Sequence, residues 1–255
     1  MPALDRGRLV VGASLVGMAA LGWAYLLHHA AASHASMHDA AASLLPQWNV
    51  EVYGLAASMW TAMMIAMMVP AATPMVLAFS QVQRQRRARR HRAVPVMLFV
   101  AGYLAVWTLF SLAAAAGQWG LHEMGLLSPA IGRVEPLLGG SLLIAAGAFQ
   151  WSNIKNACLT KCRTPLTFLA TEWREGKRGA FVMGLRHGIF CAGCCWALML
   201  LMFAGGVMNL LWMAGLTAYM LAEKLVPGAR TFARSAGTVL IAAGAALATT
   251  AVVSA

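Results

Sequence analysis

Met183, His187, Cys191 and Cys194 follow one another at intervals of four, four and three in AFVMGLRHGIFCAGCCWALMLLMFAGG. At about 100° per residue these four fall within one quarter-turn of a helix, with Cys195 on the edge and Met202 continuing the stripe. Thioether, imidazole and thiolate in one column form a soft donor set, suited first to copper(I) and second to zinc. A single buried cysteine is ordinarily a small hydrophobe. C-x-x-C-C with a histidine four residues before it points instead to a metal site at His187, Cys191, Cys194 and Cys195. Arg186 lies on the adjoining face, and so polar a pair in an apolar segment should face a bundle interior or a wet cavity. Gly184 and Gly188, beside the stripe, leave room for a neighbouring helix.

A second pair, Cys158 and Cys162, stands in WSNIKNACLTKCRTP. The C-x-x-x-C spacing puts both sulfurs on one face of a helical turn, within reach of one metal. Lys155, Lys161 and Arg163 flank the pair and would favour its thiolates. The third feature is YGLAASMWTAMMIAMMVPAATPM, where Met59, Met63 and Met67 form one column and Met64 and Met68 another. Thioethers bind copper(I) weakly enough to pass it on, which makes Met63 and Met67 candidate transfer ligands; ordinary flexible packing is the competing reading. Pro70 and Pro74 should kink or break this helix. His28, His29, His34, Met37, His38 and Asp39 lie within twelve positions and could capture a divalent metal or form a plain solvated loop. Glu223 beside Lys224 reads as a paired interfacial carboxylate, or as a proton acceptor for a transport step.

The elements that carry these residues are set by composition. Of 255 residues, 60% are hydrophobic and 11% charged, against about 25% charged in a soluble domain. A water-soluble enzyme of this size is excluded by that balance. Runs long enough to cross a bilayer, roughly 17–25 residues each, recur at about 9–27, 53–79, 94–116, 135–151, 180–204, 207–223 and 236–253. With the N-terminus in the cytoplasm, 17 of the 19 basic residues fall on one side, Arg133 and Arg186 excepted. That segregation is the positive-inside signal. The formal net charge of +11 therefore reports topology and not nucleic-acid binding, and the run QRQRRARRHR reads as a loop anchor. The expected fold is all-α, a polytopic transmembrane bundle of about seven spans, or six if the first is a cleaved signal.

The chain divides into a first span or signal anchor at 1–27, an outside His-containing loop at 28–52, a membrane core at 53–235 and a last span at 236–255. With no cysteine in the outside segments, an extracellular disulfide framework is not expected.

GLRHGIFCAGCCWALMLLMFAGGVMNLLWM followed by AEKLVPG resembles a bacterial family of uncharacterised polytopic proteins, described as predicted metal-binding integral membrane proteins. MWTAMMIAMMVPAATPM and KNACLTKCRTP look like that family's other marker segments, and together the matches cover roughly residues 50 to 230. The resemblance implies a small multi-helix membrane protein with a metal site and no demonstrated reaction. The arm from His28 to His38 lies outside it.

The leading expectation is a metal-handling protein of a bacterial inner (cytoplasmic) membrane, most plausibly for copper(I), with zinc second, and not an enzyme. Its ligands would be His187, Cys191, Cys194 and Cys195, with Met63 and Met67 passing metal inward and Cys158 and Cys162 as a cytoplasmic-side station. Its partners would be the lipid bilayer and a soluble metal chaperone or a metalloenzyme being matured. A membrane thiol–disulfide relay is the alternative, though no outside cysteine could receive its electrons. A non-catalytic assembly subunit of a membrane complex is the third.

Overall fold

The computed structural model describes residues 6–39, 48–86, 93–127, 133–207 and 209–253. Among them are nine helices and no strand: α1 (Arg6–Asp39), α2 (Val50–Arg86), α3 (Ala93–Glu123), α4 (Pro136–Gln150), α5 (Asn153–Arg163), α6 (Pro165–Glu172), α7 (Gly176–Gly205), α8 (Leu210–Leu225) and α9 (Ala229–Val253). Ala, Leu and Met, which cost a helix little side-chain freedom, dominate them. Five, namely α1, α2, α3, α7 and α9, are long and apolar enough to cross a membrane. Taken as one span across their 66° bend, α4 and α5 would be a sixth. At 16 residues α8 is shorter than the roughly 20 a full crossing takes. The chain is thus all-helical, with helices compatible with a multi-pass membrane protein.

Helices meet where side chains are smallest. A Cβ on Gly184 would run into the Phe99 carbonyl, and one on Gly102 into that of Phe181, so α3 and α7 touch backbone to backbone. The two glycines beside the stripe therefore do what their spacing suggests. Gly140 against Gly244 and Gly147 against Gly237 bring α4 and α9 together antiparallel in the same way. The core is rich in methionine, with Met63, Met64, Met67 and Met68 of α2 at 0–1% exposure.

Two local expectations change. Pro70 and Pro74 lie inside α2, which runs through both without a break. The first helix does not stop at residue 27 but continues to Asp39, so His28 to His38 lie on its last turns. The side chains of His29, His34, Met37 and His38, and residues 87–92 of the arginine run, lie outside the described residues.

Candidate metal centre

The sulfur cluster starts on α7. Met183, His187, Cys191, Cys194, Cys195 and Met202 are all buried, as their shared face requires. The Cys194 and Cys195 thiols each donate to the Cys191 carbonyl at 3.0 Å, the usual recourse of a short polar side chain one turn on. Cys191 Sγ is turned away from its own helix. It lies 3.2 Å from the Tyr103 hydroxyl of α3 and 3.1 Å from Lys224 Nζ, in the last turn of α8.

Helix α5 supplies the other cysteines. Ser152 caps it by accepting from the Lys155 backbone N–H at 3.0 Å, immediately after the bend. Lys155 then enters the protein interior, where Nζ donates to the Cys194 carbonyl (3.0 Å) and to Glu223 Oε2 (2.8 Å). Tyr219 donates to the other oxygen of Glu223 at 3.2 Å. One lysine thereby ties α5, α7 and α8 together. With α5 so held against α7, Cys162 packs on the buried core to which Cys191 and Cys194 belong. Cys158 lies against Gly193, where a Cβ would stand 2.9 Å from its sulfur. The α5 cysteines thus lie on the side of α7 that carries Gly193, next to Cys194.

The cations are arranged differently from the sequence expectation. Lys155 serves Glu223 and not the neighbouring thiols, and Arg163 donates to the Val226 carbonyl. Glu223 pairs with Lys155 and not with adjacent Lys224. Arg186 is half exposed and pairs with Glu172 at the end of α6.

His187 sits one turn before Cys191 in an aromatic box. Tyr103 stacks on it at 5.5 Å, Phe99 at 6.1 Å, and Phe168 of α6 meets it edge-on at 5.5 Å. Its Nδ1 is buried without a hydrogen-bond partner. An unpaired buried nitrogen of this kind costs about 1–3 kcal/mol, and a soft metal ion is one group that could use it. Met63 and Met67 are buried in α2. The cluster meets that helix through Tyr103, whose hydroxyl donates to the Met68 carbonyl at 3.0 Å.

Among the described residues, no three His, Cys, Asp or Glu side chains converge as a ready metal cage. The Cys194 and Cys195 thiols are each bonded to a backbone carbonyl.

A family model described as PpoB2, copper chaperone, matches residues 57–247. The chain belongs to this copper chaperone family. No curated protein and no solved structure matches it. The matched stretch contains every cysteine, His187, Met63 and Met67, and leaves out the arm from His28 to His38. Membership of a copper chaperone family gives the chain a copper-related function and agrees with the metal-binding family that the marker segments resemble.

Tyr103 and Lys155 are the members of the cluster that spacing does not disclose. A tyrosine next to Gly102 in an otherwise apolar helix is the available signal for the first. For Lys155 there is a weaker one, a lysine just after the end of a span.

Proposed function

We propose that the chain handles copper(I) within a membrane, as a transporter or as a chaperone that delivers the ion to a soluble carrier or a maturing metalloenzyme. Copper is the cargo. Cys162 and Cys191 hold it first, with Cys194, Cys195 and Cys158 as further sulfurs and His187 Nδ1 as the nitrogen donor. Met63 and Met67 form the approach from the opposite side. The observation that carries this reading is the packing of α5 on α7 at the cysteines, where Cys158 lies against Gly193, with the unpartnered His187 Nδ1 one turn before Cys191. Soft sulfur and imidazole donors select copper(I) over hard cations.

The orientation that fits is N-terminus inside, in the cytoplasmic membrane, with seven spans counting α8 as a short one. Basic residues then gather at the end of the bundle where α5 and the α8–α9 turn lie, which is also the delivery side. Elemental analysis of anaerobically purified protein loaded with copper(I) tests the reading. It requires about one copper per chain, lost in the Cys191→Ser, Cys194→Ser double variant. A titratable disulfide in place of metal would favour the thiol relay instead.

A further inference from the structure

The seam between α4 and α9 ends, beside the α4–α5 bend, in a pair of arginines and an indole. Trp151, which closes α4, is 47% exposed, and the Arg234 guanidinium of α9 lies over its ring at 5.2 Å. Trp151 meets α9 at Gly237, three residues on from Arg234, where a Cβ would stand 3.1 Å from the indole. Arg234 Nε is buried there without a hydrogen-bond partner. Arg230 lies one turn before Arg234 and is exposed. Among the described residues neither arginine pairs with a carboxylate. Past Arg234 the character of the seam changes, since the rest of α9 and the whole of α4 carry no charged residue.

We propose that Arg230 and Arg234, with Trp151 beside them, bind the phosphate of one anionic phospholipid, whose acyl chains lie along the uncharged outer surface of α4 and α9. This rests on the membrane reading above and not on the copper site. A guanidinium offers a phosphate its N–H groups in a fixed fork and is weakly hydrated, so it makes that contact at the edge of the hydrocarbon. Depth selects a lipid over a soluble partner. The headgroup layer on each side of a bilayer is about 5–7 Å thick. Arg230 and Arg234 are about 6 Å apart along the axis of α9, and the apolar run 236–253 begins two residues after Arg234. The pair therefore spans the phosphate level down to the hydrocarbon boundary. An exposed tryptophan belongs at that same level. Most of the apolar stretch of α9 is exposed along its length, which leaves surface for the chains.

The test uses the full chain in detergent with phosphatidylcholine, to which phosphatidylglycerol is added while bound lipid is counted by native mass spectrometry. Wild type should retain one phosphatidylglycerol in preference to phosphatidylcholine. Arg234→Gln and Arg230→Gln should each lower that preference about fivefold or more. Arg178→Gln, which removes the same charge from an exposed position at the start of α7, should leave it as in wild type. Because Arg230 is exposed, its variant reads the site even if Arg234→Gln does not fold. An unchanged preference in both arginine variants, or an equal loss in Arg178→Gln, overturns the proposal while leaving the membrane reading intact. A wild type that does not distinguish the two lipids does the same. Displacement of the lipid by millimolar inorganic phosphate also overturns it, making this a site for a free anion. A chain that stays dissolved in water without detergent overturns both readings.

Discussion

Lys155 Nζ lies 2.8 Å from Glu223 Oε2, joining α5 to α8 through an ion pair that is almost completely buried. The same ammonium donates to the Cys194 carbonyl on α7, so three helices share one charged anchor at the level of the sulfur cluster. A buried pair is rarely a net gain over well-packed apolar residues, yet breaking it by removing one partner costs about 3–5 kcal/mol. Lys155→Met and Glu223→Gln should therefore each lower the Tm sharply, while the Lys155→Met, Glu223→Met double variant recovers much of the loss. Thermal unfolding in detergent by tryptophan fluorescence reads this; a double variant as damaged as both singles combined would contradict it.

The α3–α7 contact makes a separate prediction about packing. Gly184 has no room for a side chain, since a Cβ there meets the Phe99 backbone. Gly184→Ala should part the two helices and destabilise the protein by about 1–3 kcal/mol. Gly117, on α3 with open space around it, tolerates the same change. Equal Tm values for the two alanine variants would show that the helices are not in backbone contact.

His187 combines two roles that can be separated by substitution. Its ring fills the box of Phe99, Tyr103 and Phe168, while its Nδ1 is left for a ligand. His187→Phe keeps the aromatic filling and should leave the Tm close to wild type, with copper(I) affinity reduced at least about tenfold. His187→Ala should lose both. Copper(I) competition beside a melting curve checks the pair, and a Phe variant that binds copper like wild type would remove the nitrogen from the site.

Tyr103 links the methionine helix to the thiols through its hydroxyl, between the Met68 carbonyl and Cys191 Sγ. Tyr103→Phe should cost about 0.5–1.5 kcal/mol in stability and leave copper stoichiometry unchanged. Loss of copper from the Phe variant would instead make the hydroxyl part of the binding site.

Much of this was legible in the sequence, and what was not has a common cause. The α7 stripe follows from the period of the helix, and composition gives the long apolar helices. Those signals are local. The approach of the α5 cysteines to α7 depends on the 66° bend after Gln150 and on Lys155 finding Glu223, 68 residues further on. No spacing rule encodes that. The partner of Arg186 is hidden for the same reason, because Glu172 arrives on α6 from outside the segment. Prolines at 70 and 74 point to a kink or a break; α2 runs through both without a break, with neighbours packed on several sides.

In the proposed function α5 and α7 share one copper ion through Cys162 and Cys191. X-ray absorption at the copper K-edge, on copper(I)-loaded wild type and on Cys162→Ser and Cys191→Ser, tests it most directly. The prediction is a sulfur-dominated shell in the wild type, from which either serine variant loses one sulfur or the metal itself. A Cys162→Ser protein with the wild-type copper content and an unchanged sulfur shell would contradict it.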